Sequence, residues 1–230
     1  MDIEATDAHC HIGGISSDID AAVCAINEAQ WPQLARAGNP KIKKVYGLFL
    51  GEALSHSDAQ LSAAFKTLRD YLCGASAVGE FGLDKRFTSV LPFYRQEKIF
   101  DAHIELCIAA GLPGVLHCVG AWGFLLKKLK AASRSGAGPF LLHSAGCAAE
   151  LARQFMELGC YFSFSARQLA SRKGLETAAV VDRDRILLES DDLPSAQAYA
   201  QNLDKLAAVR NTDAGELSIC INRNFHRFFK

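Results

Sequence analysis

The feature that most constrains the fold of this chain is the regular alternation of short apolar runs with longer amphipathic stretches. Continuous apolar runs of this length are typical of strands in a parallel sheet covered on both faces. Two intervening stretches, 91–110 and 148–158, are predicted helices, each followed by a glycine of the kind that commonly ends a helix. Strands alternating with helices predict right-handed crossovers in a barrel or a doubly wound sheet. The predicted strands cover 44–50, 77–83, 114–117, 139–143, 160–165 and 186–189.

Both ends of the chain depart from this alternation. A first strand is predicted to end within 7–12 and a short second strand to cover 23–27. The residues between them, 13–22, leave little room for a full covering helix. Beyond residue 191 the chain is predicted to be wholly helical, with helices over 195–210 and 214–229.

Side chains that bind metals fall where the predicted strands end. Six of them lie at the ends of five different runs: His9, His11, Glu80, His117, His143 and Asp191. In a parallel barrel all strand ends point to one rim, where active sites are built from residues on several strands. The six side chains are therefore expected to converge on one site.

The residue types in this set indicate a divalent cation. In the segment Asp-Ala-His-Cys-His at 7–11, the two imidazoles are two residues apart, so on a strand they share one face. Glu80 adds a carboxylate that can bridge two ions. Mixed imidazole and carboxylate sets suit Zn²⁺ or Mn²⁺, and suit Mg²⁺, which prefers oxygen ligands, less naturally. One or two divalent cations are the expected cofactors, and Asp7 is expected to orient a ligand histidine or the local backbone.

Five segments of the chain carry these residues: DAHCH at 7–11, AVGEFGLD at 77–84, GLPGVLHC at 111–118, FLLHSAG at 140–146 and ILLESD at 186–191. In this order they resemble the TatD family of metal-dependent deoxyribonucleases, within the amidohydrolase-like barrel superfamily. The resemblance covers nearly the whole chain. It implies one α/β domain over 1–230 folded as a TIM-like (β/α) barrel. The short segment 13–22 departs from this pattern and predicts a shortened first β/α unit. The resemblance also implies magnesium-dependent hydrolysis of phosphodiester bonds, typically at the 3′ end of DNA.

The resemblance further implies a role for each candidate ligand. His9, His11 and Asp191 would bind one cation and His117 and His143 a second, with Glu80 between the two. A pair of cations lowers the pKa of bound water towards about 7 and stabilises charge on a phosphoryl oxygen. Asp191, facing that water, is the expected general base, so Glu80 and Asp191 are the expected catalytic residues.

Two segments depart from the family pattern. TatD proteins usually carry Gly-x-His-Pro-His after the third strand, whereas this chain reads GLFLG at 47–51. The family's His-Ser-Arg is here HCV at 117–119, and Asp192 precedes the expected Leu-Pro. Both motif changes remove polar groups able to hold a phosphate or a nucleic acid. The metal ligands are therefore complete while the groups that hold substrate are depleted.

Four cations near the same rim are candidates for holding a substrate. Arg86 follows the glutamate motif and is the predicted substrate-binding residue, in contact with a phosphate. Arg167, Arg172 and Lys173 follow the run 160–165 and are predicted to form a basic loop. Solvated surface charge is the alternative for all four. Surface or packing roles are predicted for the remaining histidines, His56, His103 and His226.

The charge balance leaves two classes of substrate open. The 25 basic and 25 acidic side chains cancel, which is unlike the basic footprint of a protein that mainly holds nucleic acid. An enzyme that binds a nucleic acid end briefly still fits, because local basic patches survive a neutral total. The leading hypothesis is a deoxyribonuclease acting on single-stranded DNA or another phosphodiester. The alternative is an amidohydrolase or lactonase acting on a small molecule; an inactive binding protein is disfavoured because its metal ligands would have decayed first.

The cysteines, the first residues and the lengths of the apolar runs indicate where in the cell the protein is expected. The eight cysteines are scattered without a CxxC pair, which is typical of reduced thiols in the cytosol. The first residues show no signal peptide, and no stretch approaches the roughly 20 apolar residues that span a bilayer. A cytoplasmic protein without a membrane segment or an obligate protein partner is expected.

Overall fold

The computed structural model describes residues 4–192 and 194–230, and its strands form one parallel sheet. They are β1 (Thr6–His11), β2 (Asp20–Ala25), β3 (Ile42–Tyr46), β4 (Ala77–Asp84), β5 (Gly114–Val119), β6 (Phe140–Leu142), β7 (Tyr161–Phe164) and β8 (Ile186–Leu188). Each strand pairs with the next in sequence. The sheet nearly closes, because the amide of Asp191 donates a 3.0 Å hydrogen bond to the carbonyl of His9. The predicted TIM-like barrel is confirmed.

Helices cover the outside of this sheet. Those in the described residues are α1 (Trp31–Ala35), α2 (Asp58–Tyr71), α3 (Phe93–Ala110), α4 (Trp122–Arg134), α5 (Ala149–Glu157), α6 (Arg172–Val180), α7 (Ala196–Arg210) and α8 (Ala214–Phe228). The side chains of Ser57, Ser195 and Asp213 cap α2, α7 and α8 by accepting hydrogen bonds from amides of the first turn. Between β1 and β2 lies only a short 3₁₀ turn, Ile12–Ser16, so the shortened first β/α unit is also confirmed.

Two strands differ from their predicted bounds. The second was predicted over 23–27, but β2 begins at Asp20 and ends at Ala25. Its first residues pair with β1 and β3 despite their weak strand propensity, so sheet pairing overrides local preference. The third was predicted over 44–50, but β3 ends at Tyr46. Leu48 and Leu50 beyond it are apolar because they are fully buried in the core, not because they lie in a strand.

The sheet separates an inner apolar layer from the layer beneath the helices, as alternation along each strand requires. Small side chains such as Ala8, Ala22 and Ala77 belong to the inner cluster, together with three phenylalanines at the end of α8. The ring of Phe228 lies 5.2 Å from that of Tyr161, the first residue of β7. Helix α8 therefore closes the end of the barrel where the strands begin, and the opposite end is left for a site.

A surface or a packing role was predicted for His103, and the structure shows a packing role. His103 is fully buried on α3, and its ring stacks on Phe81 with 4.6 Å between centroids. Its Nε2 accepts a 3.0 Å hydrogen bond from the amide of Leu48, so Nδ1 carries the proton that it donates to the carbonyl of Ile99 at 2.7 Å. Burial lowers the pKa of His103 to about 4, and the ring is neutral at pH 7.

All eight cysteines are free, and only Cys73 among them is exposed. Burial raises the pKa of Cys107 and of Cys160 to about 12, so both remain protonated, unreactive thiols. None of the helices within 4–192 and 194–230 is both long enough and apolar enough to cross a membrane.

Candidate metal centre

The structure brings the six predicted ligand side chains together where the strands end. His9 and His11 lie in β1, Glu80 in β4 and His117 in β5. His143 directly follows β6, and Asp191 comes shortly after β8. Their nitrogen and oxygen atoms form three overlapping groups, each with all atoms within 4.8 Å of one another. The groups are His9–His11–Glu80, His9–His143–Asp191 and Glu80–His117–His143.

Glu80 lies at the middle of this cluster. Its Oε1 is 2.9 Å from both Nδ1 of His117 and Nε2 of His143, and its Oε2 is 3.5 Å from Nε2 of His9. Burial alone would raise the pKa of Glu80. The charge of His143 and hydrogen bonds from His117 and His143 outweigh burial and lower that pKa well below its usual range. The buried carboxylate is therefore an anion that touches imidazoles from three strand ends.

Asp191 and His11 form the open side of the cluster. The Oδ1 atom of Asp191 is 3.6 Å from Nε2 of His9 and 3.8 Å from Nε2 of His11. The side chains of Asp191 and His11 are 33% and 37% exposed, whereas those of Glu80, His9 and His143 are almost fully buried. A water or substrate therefore reaches the cluster past Asp191 and His11.

The buried nitrogens of this cluster fit a cation. Among the side chains described, Nε2 of His9 and Nδ1 of His143 are buried without a hydrogen-bond partner. A buried polar atom left unpaired costs about 1–3 kcal/mol, so two of them within one cluster indicate a missing partner. Four imidazoles and two carboxylates form a donor set suited to divalent metals. The residues present therefore fit one or two divalent cations.

Asp84 holds His117 from the side away from Glu80. Its Oδ2 is 3.0 Å from Nε2 of His117, and both of its oxygens accept hydrogen bonds from Nε of Arg86 at 3.0 Å. Burial would raise the pKa of Asp84, but the hydrogen bonds from His117 and Arg86 lower it well below its usual range. Since Nε2 of His117 donates to this carboxylate, Nδ1 is directed at Glu80 and the cluster.

Glu189 supports the cluster from within the barrel. Its Oε1 accepts 2.8 Å hydrogen bonds from both the amide and the hydroxyl of Ser144, and its Oε2 accepts one from the hydroxyl of Ser163. The same Oε1 lies 3.6 Å from Nδ1 of His143. Burial opposes ionisation of Glu189, but the neighbouring His143 imidazole and the hydrogen bond from Ser163 lower its pKa. Glu189 therefore orients the His143 ring.

The positioning roles of Asp84 and Glu189 were missed at the level of the sequence. A usable signal was present for Glu189, because it lies two residues before Asp191 as His9 lies two residues before His11.

Asp7 has the backbone-orienting contacts expected of it. Its carboxylate accepts 3.1 Å hydrogen bonds from the amides of His9 and Ser190, and burial raises its pKa to about 7.

Gly82 permits the close approach of β4 and β5 beside the cluster. A Cβ atom at this position would lie 1.8 Å from the carbonyl oxygen of His117, a distance that no side chain can occupy. Any larger residue would displace the strand that carries His117, so the glycine of this motif is needed for ligand placement.

The other predicted residues lie elsewhere or have partners. Nε2 of His56 is 3.0 Å from Glu28, and neither His56 nor the exposed His226 is in the three groups formed by the described residues. Arg86 is more than half exposed, but both its Nε and its Nη2 donate to the carboxylate of Asp84, the latter at 2.6 Å. The predicted basic loop is wrong for two of its three residues, because Arg172 and Lys173 begin helix α6 and only Arg167 precedes it. All three border a cavity that is also lined by Ser144, the neighbour of His143.

Curated relatives resemble about half of this chain. It is 34% identical over 118 residues to the 3′-5′ ssDNA/RNA exonuclease TatD of Cronobacter sakazakii, covering 50% of this chain and 44% of that protein. It is 29% identical over 117 residues to the uncharacterized metal-dependent hydrolase YabD of Bacillus subtilis, covering 50% and 45%. The matched stretches thus span less than half the length of both relatives.

Solved structures resemble the whole chain. The crystal structure of YJJV, a TatD homologue from Escherichia coli K12, has a TM-score of 0.82 at 22% identity, covering 100% of this chain and 99% of that one. A TatD family hydrolase from Entamoeba histolytica has a TM-score of 0.71 at 14% identity, covering 91% and 84%. Both likenesses show the same barrel fold. The family model described as TatD related DNase matches residues 6–230, and this chain therefore belongs to that family.

Proposed function

We propose that this protein is a divalent-metal-dependent hydrolase that cleaves phosphodiester bonds, with single-stranded DNA as its substrate class. The observation that carries the proposal is the buried Glu80 anion, in contact with imidazoles from three strand ends, beside two ring nitrogens without partners. Membership of the TatD-related DNase family supports it. So does the relative from Cronobacter sakazakii, which is named a 3′-5′ ssDNA/RNA exonuclease.

In this proposal the six clustered side chains hold the metal. His9, His11 and Asp191 would hold one divalent cation and His117 and His143 a second, with Glu80 as the carboxylate available to both sites. Mg²⁺, Zn²⁺ and Mn²⁺ are the candidates, and four imidazoles favour Zn²⁺ or Mn²⁺. When bound, the cations supply Lewis acidity that acidifies water and polarises a phosphoryl oxygen.

Asp191 is the proposed general base. It lies on the open side of the cluster, and its Oδ2 is 3.4 Å from the hydroxyl of Ser144, which can hold the carboxylate in place. Its carboxylate would accept the proton of the attacking water, the role of a positioned acid/base. Asp84 and Glu189 do not reach the substrate in this account. They hold the His117 and His143 rings in the orientations that the cluster needs.

A small-molecule amide or lactone is the second candidate substrate. It is favoured by the sequence GLFLG at 47–51 and by Val119, which leave the chain without polar groups that TatD proteins usually carry. The two candidate substrate classes are distinguished by assaying metal-reconstituted protein against single-stranded DNA, RNA, bis(p-nitrophenyl) phosphate and a panel of amides and lactones. We expect turnover of the phosphodiesters. Turnover confined to an amide or lactone would reject the nuclease proposal in favour of the alternative.

Arg86 is proposed to contact a substrate phosphate with the part of its guanidinium that Asp84 does not engage. Arg86→Ala is expected to raise KM for single-stranded DNA several-fold while the bound metal per chain stays unchanged, because the contact is to substrate and not to a ligand. Metal content and kinetics are measured on one preparation. If the variant loses metal instead, Arg86 acts by holding Asp84 and His117, and its proposed substrate contact is wrong.

A cytoplasmic location is also proposed, with residues 1–230 acting as one domain. The location is supported by the eight free cysteines, seven of them buried, which suit a reducing compartment.

A further inference from the structure

A cavity of about 770 Å³ adjoins the metal centre where β5, β6 and β7 end. Its lining includes Val119, Trp122, Ser144, Arg167, Gln168 and Lys173. The hydroxyl of Ser144 joins it to the cluster, lying 3.4 Å from Oδ2 of Asp191 and 3.2 Å from Oε1 of Gln168. The volume is that of a pocket for a ligand of nucleotide size, next to the proposed base.

The cavity has a net positive lining. Arg172 is paired with Glu176, with 2.7 Å between Nε and Oε1, so these two charges offset each other. Glu176 is the one acidic side chain recorded in the lining, and in the described part of the chain Arg167 and Lys173 take part in no ion pair. Both are exposed. Two unpaired cations therefore border a cavity that opens beside the metal centre.

An aromatic ring borders the same cavity. Trp122 is the first residue of α4 and is partly exposed, whereas the other tryptophan, Trp31, is fully buried. Its indole packs edge-on against Phe155, with 6.2 Å between ring centroids, which supports the ring from one side. Aromatic rings combined with cations are the means by which proteins bind single strands without reading their sequence.

We propose that this cavity binds the nucleotide next to the scissile phosphate of a single-stranded nucleic acid. The base stacks on Trp122, and the neighbouring phosphates pair with Arg167 and Lys173. This inference rests on the proposed function and specifies which part of the substrate the cavity holds. It also predicts little sequence preference, since every base offers a face for stacking.

Binding is tested first by the fluorescence of Trp122. The probe is a short phosphorothioate oligothymidylate, which resists hydrolysis, titrated into metal-loaded protein. Trp31→Phe leaves Trp122 as the single tryptophan, and its fluorescence is expected to be quenched as the oligonucleotide binds. Trp122→Leu is expected to weaken binding by about tenfold, the order expected for loss of one stacked base, as measured by anisotropy of a labelled oligonucleotide.

The cations are tested by the salt dependence of the same binding. Arg167→Ala/Lys173→Ala is expected to weaken binding and to reduce the slope of log K against log salt by about 1.4, or about 0.7 per lost phosphate contact. Lys66→Ala/Arg69→Ala removes two exposed cations from α2 and is the charge-matched control, expected to bind like the wild type. Adding Val119→Arg to the first double variant is expected to restore part of the binding, because this position lines the same cavity.

Two results would overturn the cavity proposal. One is oligonucleotide binding with no change in Trp122 fluorescence, and the other is a cavity double variant that binds like the α2 control. Hydrolysis of bis(p-nitrophenyl) phosphate, which has no base and no neighbouring phosphate, is measured on the same preparations. If this compound is still hydrolysed while either of the two binding results is found, only the cavity proposal fails. If wild-type protein hydrolyses neither this compound nor DNA, the proposed function fails.

Discussion

Replacing Glu80 by alanine is expected to abolish metal binding and hydrolysis together. The carboxylate contacts His9, His117 and His143, and it is the only residue that belongs with both the His9–His11 pair and the His117–His143 pair in the described groups. Its loss removes an anionic ligand and leaves the buried imidazoles without their shared counter-ion. Bound metal per chain by elemental analysis and turnover of single-stranded DNA are measured on the same sample.

Two controls accompany this variant. Glu80→Gln preserves the size of the side chain while removing its charge, so it shows whether the loss follows charge or packing. Glu150→Ala removes an exposed carboxylate from α5 and is expected to retain both metal and activity. A Glu80→Ala protein that is folded by circular dichroism and holds the wild-type amount of metal would show that Glu80 does not join the two halves of the cluster.

Asp191→Asn is expected to separate metal binding from chemistry. The amide keeps the size and one coordinating oxygen, so the variant retains at least one metal and the fold. It has no negative charge and cannot accept the proton of the attacking water. We expect kcat to fall by about 10²–10⁴-fold, the range attributed to a positioned acid/base.

The control variant is Asp192→Asn. Asp192 is exposed, is adjacent to Asp191 and belongs to none of the ligand groups found in the described residues. That control is expected to turn over at the wild-type rate. If Asp191→Asn also does so with full metal, Asp191 is not the base. If the Asp191→Asn protein holds no metal, Asp191 acts chiefly as a metal ligand, and the proton acceptor is another group or bulk water.

The apolar runs predicted a parallel sheet, either a barrel or a doubly wound sheet, and the resemblance to the TatD family selected the barrel. A shared site was predicted because these runs end in metal-binding side chains. Strand bounds were harder to predict. The Asp-Ala-Ala start of β2 has weak strand propensity, and its place in the sheet follows from pairing with both neighbours. Residues 47–50 are as apolar as a strand, yet they pack against the core from outside β3.

The supporting residues and the cavity were not predictable in the same way. Glu189 and Asp84 are acidic residues within recognised motifs, but which histidine each one holds depends on distances across the barrel. Arg86 was predicted to contact phosphate, and no feature of the motif indicated that Asp84 would engage its guanidinium. The cavity requires residues from three strand ends to meet, so Trp122 and Arg167 acquire a joint role only in the folded chain.

The most direct test of the account is a metal titration of chelator-stripped protein, with bound metal and hydrolysis of single-stranded DNA followed together. Stripped protein is expected to be inactive, and added Mn²⁺, Zn²⁺ or Mg²⁺ is expected to restore hydrolysis as one or two ions bind per chain. Under the same conditions Glu80→Ala is expected neither to bind the metal nor to regain hydrolysis. Full hydrolysis by stripped protein, or saturating metal with no hydrolysis of any phosphodiester, would contradict the account.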